Sequence, residues 1–473
     1  MRPTTGLALA SALMLPVPLS APDCEGGATP TPIEPEPTPT LAPRGSLGQV
    51  STLRVDAHTH PYTRLEDGTI TDDGGENLAS IVAANNLGIV LASVRVTGLD
   101  LDDSGAAMLA AAEAVPEIVP LLWCSPGHGD LANEAEPWLR DKGFAGIKLH
   151  PALDKLPADS PLVDPFVALA AQYNVPVVIH TGSDDPSLPS RVGNLAARHP
   201  DANIVLYHLG LGTDGTSATD VAAALDNVWI ETSWVNKAGI LQAIEALGTA
   251  KVLIGTDATV DGATHYTHPW GSGVGEGNYR DLLTALGRDL PNDTWNQVMV
   301  GNATRLFNLV TIHAKGDGPL SLRFDNQKGG GLGQPVAMAQ EAGGWWRKTV
   351  AAEDLVEFSV IDASGSPSEV LRTREWEVWV DGNAIQAQPP ATIINVHTQA
   401  DFGQGVFIRG SGWPLSWTAG APARWLEGDV WEVRLAGVIS EIEIKALIDD
   451  TTWMSDDNVT LTPGSTVDIY PSF

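Results

Sequence analysis

The stretch RVDAHTHPY, Arg54 to Tyr62, decides how the rest of the chain is read. Its first half is strand-like, and in a strand residues i and i+2 point to the same side. Asp56, His58 and His60 then share one face. Three proton-binding groups in a row are costly to bury unless something binds them. A divalent metal ion removes that cost, because imidazole and carboxylate donors suit zinc, manganese, iron or nickel.

Further along, short β-branched apolar runs recur at an even period. They are TLRVDAH (52–58), IVLASV (89–94), EIVPLLW (117–123), FAGIKLH (144–150), VPVVIH (175–180), NIVLYH (203–208), NVWIET (227–232) and KVLIGTD (251–257). Helical patterns such as GAAMLAAAEAVP and GILQAIEALGTA lie between them. Strands this continuously apolar, alternating with helices, describe a parallel sheet covered on both faces. Eight such units in about 260 residues predict an α/β fold, a closed (β/α)8 TIM barrel. An open doubly wound sheet is the alternative, but no Gly-rich phosphate turn follows the first strand. The C-terminal rim of such a barrel carries the chemistry. Here that rim receives His58 and His60, Lys148 and His150, His180, His208 and Asp257 from five of the eight strands. A single strand-end histidine is readily a satisfied structural residue; the joint pattern is not.

The ordered set VDAHTH, GIKLHP, VVIHTG, IVLYHLG, LIGTDA and GNATRLFNL resembles the metal-dependent amidohydrolase superfamily. It is most similar to the branch that holds small aromatic-acid decarboxylases. The resemblance implies that His58, His60, His180 and Asp257 bind one divalent metal, Zn2+ first, with Mn2+, Fe2+ or Ni2+ as alternatives. It implies that Asp257 also takes a proton from metal-bound water and that His208 polarises the substrate or shuttles a proton. Lys148 and His150 are the expected substrate-binding residues, with a structural or substrate-anion role for Lys148 rather than a bridge between two metals, and a rim hydrogen bond as the competing reading of His150. Asp56 has two readings, orienting a ligand histidine or tying the barrel floor. The loop after Asp257, with His265, His268 and Trp270, is expected to shape or cover the pocket.

The totals bound the rest. The chain has 473 residues, enough for two or three domains. A formal charge of -31 argues against nucleic-acid and anionic-membrane partners. Only two cysteines occur, Cys24 and Cys124, so no disulfide framework is expected. At the N-terminus GLALASALML follows Arg2 and reads as a secretory signal, expected over 1–24. Residues 25–48, rich in Pro and Thr, read as an extended linker. The pair implies export to a periplasm, cell surface or the exterior. Cys24 offers a lipid-anchor position in a poorly matching context. No transmembrane span is expected beyond that segment.

The barrel is expected over 49–313. Composition changes at HAKGDGPLSLRFDNQ, and nine of the fifteen tryptophans fall between 345 and 453. Short alternating runs such as VEFSVID, EWEVWVDG, GVFIRG and EIEIKALID, separated by Gly, Pro and Asp turns, predict antiparallel sandwiches over 317–387 and 392–473. Both pieces resemble starch-binding-type modules of immunoglobulin-like fold. By that resemblance Trp417, Lys445 and Trp453 are the carbohydrate contacts, two ring platforms and a polar group, with polysaccharide as the partner. Trp345, Trp346 and Trp376 are weaker candidates, and sandwich core is the competing reading of every tryptophan here.

The leading expectation is an exported hydrolase in which metal-bound hydroxide attacks an amide, ester or lactone of a small molecule. The alternatives are a metal-dependent non-oxidative decarboxylase and a non-catalytic carbohydrate-binding protein on a barrel scaffold. A homodimer is left open.

Overall fold

All eight apolar runs are strands in the computed structural model, which describes residues 54–473 apart from 65–69, 96–99, 270–276, 326–333, 353–354, 387–389, 402–403, 413–414, 419, 436–437 and 439. The expected signal and linker, 1–48, and Trp270 lie outside the described residues. The strands are β1 (Val55–Thr59), β2 (Ile89–Ala92), β3 (Ile118–Pro120, resuming at Leu122–Trp123), β4 (Ile147–Leu149), β5 (Val177–Gly182), β6 (Ile204–Leu211), β7 (Val228–Glu231) and β8 (Val252–Leu253). Each pairs in parallel with the next, from Val55 opposite Ile89 through Ile230 opposite Val252. Leu121, where β3 is interrupted, donates its N–H to Ala92 O at 2.7 Å and keeps the ring continuous. The ring closes between β8 and β1, where Ala57 N–H donates to Ile254 O at 3.0 Å and Asp257 N–H to His58 O at 2.8 Å.

The strands lack a period-2 pattern because both faces are covered. Val177, Val178 and Ile179 are consecutive and all fully buried. Helices such as Leu101–Ala114, Asp164–Gln172 and Lys237–Leu247 pack outside. The first of these begins where Asp100 accepts the N–H of Asp103, an N-cap that satisfies one orphan donor of the first turn.

Two β-regions follow. Strand β9 (Leu309–Lys315) does not close the barrel, although the expected boundary at 313 assigned most of it there. It pairs with β10 (Trp345–Ala351) on one side and β11 (Glu377–Asp381) on the other. Its alternation explains the difference. Val310, Ile312 and Ala314 enter the core of the first β-region, together with Leu322, Phe358 and Val380. Thr311 and His313 face the other way. A second sheet, built on Ser321–Phe324, Val356–Ile361 and Leu371–Thr373, lies across that core. The last region likewise has two sheets, centred on Thr392–His397 with Val430–Leu435 and on Val406–Gly410 with Ile442–Ile448. Pairing is not wholly antiparallel, as the sequence suggested. β9 runs parallel to β11, and Thr392–His397 runs parallel to Thr466–Ile469.

Both β-regions join the barrel at its N-terminal end. Arg347 of β10 donates to Gly88 O, just before β2, and Lys348 donates to Pro116 O at 2.7 Å, just before β3. Arg54, just before β1, donates to Gly420 O at 2.6 Å. Thr418 Oγ1 donates to Ala83 O at 3.3 Å near the end of helix α1 (Glu76–Asn85). The strand ends that carry the histidines lie at the opposite end.

His313 is the buried hub of the first junction. Its Nδ1 stands 2.8 Å from Glu341 Oε2 and its Nε2 2.9 Å from Glu377 Oε1, while Arg347 Nε donates to Glu341 Oε1 at 3.0 Å. The indole of Trp379 stacks on the imidazole with centroids 5.0 Å apart. Burial opposes its charge, but the two carboxylates overcome burial and raise His313 to about 9. The folded value therefore exceeds the ordinary value of about 6.5, so the cluster's full stabilisation is present below about pH 6.5 and fades as pH rises through 9. Chemical denaturation from pH 6 to 10 is expected to show that decline in the parent chain. His313→Gln is expected to lose about 3 kcal/mol at pH 6 and to show a flatter profile.

Candidate metal centre at the strand ends

His58 on β1 and His60, just past its end, turn the same edge toward Asp257, just past β8. His58 Nε2 and His60 Nε2 are 3.1 Å apart, and Asp257 Oδ1 lies 3.2 Å from the first and 3.0 Å from the second. Both histidines are buried, at 1% and 3% exposure. The far side of each ring shows where its proton sits. His60 Nδ1 faces the Ser93 carbonyl at 2.7 Å, which only accepts, so Nδ1 carries the proton and Nε2 a lone pair. His58 Nδ1 faces Glu231 Oε2 at 3.3 Å and Ser233 Oγ at 3.1 Å, which orients it the same way. Burial, then the nearby Lys148 ammonium, holds His58 well below the usual imidazole range. Its approach to Asp257 is therefore not an ion pair between a cation and an anion. Two imidazole lone pairs and a carboxylate oxygen point at one another.

Such an arrangement repels itself unless a cation stands in the middle. Donor atoms about 2.1 Å from one divalent ion are roughly 3.0–3.4 Å apart at angles between square and tetrahedral. The three observed edges fall in that range, so the residues present fit the metal. Lys148 is fully buried and donates to His58 Nε2 at 3.3 Å, with its Nζ 4.1 Å from the Tyr207 ring centroid. Burial pulls its ammonium down to about 7, so it is a weak substitute for a divalent charge.

The other expected site residues are nearby but differently placed. His180 is not in the triangle. Its ring stacks on His150 with centroids 3.9 Å apart and meets His208 edge-on at 4.7 Å. Burial, then Lys148, lowers His180 to about 4, so it is neutral near pH 7. His150 lies between His180 and Trp123, whose ring is 5.7 Å away, and its Nδ1 accepts the Leu153 N–H at 3.3 Å as the cap of a short helix. His208 is buried, with its ring 4.9 Å from that of His58. The Asp56 carboxylate touches no imidazole. It accepts from Thr256 N–H, Tyr266 O–H and His58 N–H, tying β1 to β8. His265 is buried and directs Nε2 to the Thr256 carbonyl at 2.8 Å, so it braces the floor of the site.

Three partners were missed in the sequence. Glu231 ends β7 and is completely buried. Ser233 follows it, and Trp234 donates its indole N–H to Asp257 Oδ2 at 2.8 Å, aiming Oδ1 at the two histidines. The signal was present in NVWIETSW, a carboxylate closing an apolar strand beside the strand that carries His208. The backbone here is unusual. His208, Leu209, Trp234 and Asp257 adopt φ of 69°, 49°, 62° and 67°, left-handed values that cost energy for residues other than glycine and cluster at functional sites. Gly255 is required by packing. A Cβ there would lie 2.9 Å from the His58 backbone nitrogen and would strike Glu231 Oε1.

In the last β-region Trp417 and Trp453 are exposed, their centroids 6.1 Å apart and their planes inclined by 41°. The Arg409 guanidinium lies 5.1 Å from the Trp453 ring centroid, and Lys445 Nζ donates to Met454 O at 3.4 Å. Trp345 is buried, as a core residue would be.

No curated protein matches the chain. Similar solved structures include 5-carboxyvanillate decarboxylase from Sphingomonas paucimobilis, at 16% identity and TM-score 0.41, covering 55% of this chain and 99% of that one. Others are 4-oxalomesaconate hydratase from Rhodopseudomonas palustris, at 16% and 0.40, covering 54% and 96%, and an amidohydrolase from Burkholderia multivorans with bound zinc, at 18% and 0.40, covering 54% and 99%. The amidohydrolase family model matches residues 55–309. That span runs from β1 to the start of β9 and takes in more than half of the 473 residues, and by it the chain belongs to the amidohydrolase family.

Proposed function

We propose that the chain is a metal-dependent hydrolase acting on an amide, ester or lactone of a small molecule. The observation that carries this reading is the triangle of His58 Nε2, His60 Nε2 and Asp257 Oδ1, whose edges are 3.0–3.2 Å. His58, His60 and Asp257 would hold one divalent ion, zinc first among the candidates. His180 would complete the set from β5. Such an ion supplies Lewis-acid polarisation and lowers the pKa of a water it binds to about 7.

The chain's own groups then have distinct tasks. Asp257 is placed to take the proton of the attacking water, and Trp234 keeps its second oxygen occupied. His208 handles the second proton. The Lys148 ammonium faces the negative charge that develops on the carbonyl oxygen. Lys148 and His208 are buried and Asp257 is mostly so, which strengthens each interaction.

Trp417 and Trp453, with Lys445 beside them, are proposed as a carbohydrate platform, because exposed rings stack on the C–H faces of sugars. Their region joins the barrel at the end away from the histidines, so sugar bound there would anchor the enzyme rather than feed the site. Export of the chain accords with such a role.

Metal analysis of the purified chain is expected to find about one zinc-like ion per molecule, with His60→Ala or Asp257→Asn weakening retention by 10-fold or more. Metal-free protein, with the parent and both variants equally folded, would remove the enzymatic reading. Among lactones, amides and aromatic acids, turnover is expected with one of the first two, and carbon dioxide release would instead assign a decarboxylase. Binding to insoluble starch is expected to fall roughly tenfold in Trp417→Ala or Trp453→Ala, because each ring contributes about 1 kcal/mol or more of contact.

A further inference from the structure

Arg409 stands on the strand Val406–Gly410 with its side chain 14% exposed, and three segments of the last β-region meet at its guanidinium. Its Nε donates to Asp450 Oδ1 at 2.8 Å and its Nη2 to the Asp450 main-chain oxygen at 2.8 Å. Its Nη1 donates to the Trp417 main-chain oxygen at 3.0 Å. The same group lies over the Trp453 ring, 5.1 Å from its centroid. Arg409 therefore holds both exposed tryptophans, Trp417 by its backbone and Trp453 by its ring. A guanidinium suits this task, because its N–H groups point outward in one plane while its faces stay free to stack.

Asp450 fixes the guanidinium in turn. It lies in the turn between Ile442–Ile448 and Thr452–Trp453, where Asp449 and Asp450 adopt left-handed φ of 52° and 55°. Its Oδ2 accepts the Gly420 N–H at 3.2 Å, so one carboxylate ties the hairpin that carries Trp453 to the loop that carries Trp417. Gly420 is required for that approach, since a Cβ there would strike Asp450 Oδ1. The other side of the loop is seated on the barrel, through Thr418 to Ala83 and through Gly420 to Arg54.

We infer that Arg409, oriented by Asp450, is the positioning residue of the Trp417 and Trp453 pair and holds the two indoles in one preformed arrangement. The clamp stands on these contacts alone; its consequence for sugar rests on the platform proposed above. The guanidinium occupies one face of Trp453, so a sugar stacks on the opposite face and does not compete with it. Indoles free to turn on a loop and a hairpin must be ordered when a ligand binds, and that ordering weakens binding. Rings held beforehand escape the loss. Lys445 lies directly across from Arg409 on the neighbouring strand and donates to the main-chain oxygen of Met454. The residue expected to contact sugar thus also supports the chain beside Trp453.

The test uses the full chain. Two indoles with centroids 6.1 Å apart and planes inclined by 41° couple electronically and give a paired positive and negative band in far-ultraviolet circular dichroism. The parent, Trp417→Phe, Trp453→Phe and the double variant isolate that coupling as the part of the spectrum that does not add. The same four chains carrying Arg409→Gln show what the clamp does to it. Coupling is expected in the parent and is expected to fall by about half or more with Arg409→Gln. Arg409→Lys, which keeps a charge over the ring and loses the planar fork, is expected to recover only part of it. Titration with maltoheptaose is expected to give a dissociation constant roughly tenfold higher in Arg409→Gln than in the parent, because two rings must then be ordered on binding. If Arg409→Gln does not fold, Asp450→Asn releases the guanidinium instead and is expected to weaken the coupling in the same direction. A parent without coupling, or coupling of parental size in Arg409→Gln and in Asp450→Asn, would overturn the clamp. Coupling that depends on Arg409 in a chain that does not bind maltoheptaose would leave the clamp standing and remove the sugar reading. Maltoheptaose binding that is lost in Trp453→Phe, while coupling and affinity both stay parental in Arg409→Gln, would do the reverse.

Discussion

Three electron-rich atoms facing one another across about 3 Å are the constraint from which the rest of this barrel's rim follows. Two imidazoles and a carboxylate converge only if each ring is held from behind by an acceptor. The Ser93 carbonyl does this for His60, and Glu231 with Ser233 does it for His58. Those acceptors come from β2 and β7, the strands next to the pair β1 and β8 that supply the donors. Asp257 is held by an indole from the same turn that follows Glu231. The left-handed residues at His208, Trp234 and Asp257 are the local cost of bringing three strand ends to one point.

The two ends of the barrel do different work. The C-terminal rim concentrates neutral imidazoles and buried carboxylates. At the N-terminal end, Arg347, Lys348 and Arg54 cap main-chain carbonyls or bind carboxylates across the junctions with the β-regions. His313 is charged there for the reason His58 is neutral at the rim: the balance between burial and partners. At His313 two carboxylates overcome burial, whereas at His58 burial, Lys148 and the neighbouring imidazoles outweigh Asp257. One side chain type thus serves as a structural cation at one end and as a lone-pair donor at the other.

Much of this was legible before any coordinates. The eight strands could be read because a parallel strand covered on both faces is apolar along its length, which contrasts with the small-residue helices between. The HTH stretch and the strand-end histidines were legible because polar groups closing apolar runs stand out. Glu231 is the same kind of signal, a single carboxylate closing an apolar run. Ser233 and Trp234 look like any turn, and His313 like any strand residue. Strand β9 follows the last barrel helix directly, and only its pairing with β10 and β11 shows where it belongs.

By itself, then, the order of residues determined the barrel strands, the strand ends that carry the histidines and the all-β character of the C-terminal part, because these depend on periodicity and burial that neighbouring residues express locally. The tertiary structure decided which donors converge, which acceptors stand behind His58 and His60, and that His180 stacks on His150. Those outcomes depend on distances of a few ångströms between strands far apart in the chain. A side chain's protonation and orientation follow from the partner that packing brings to it, and no local pattern encodes that partner.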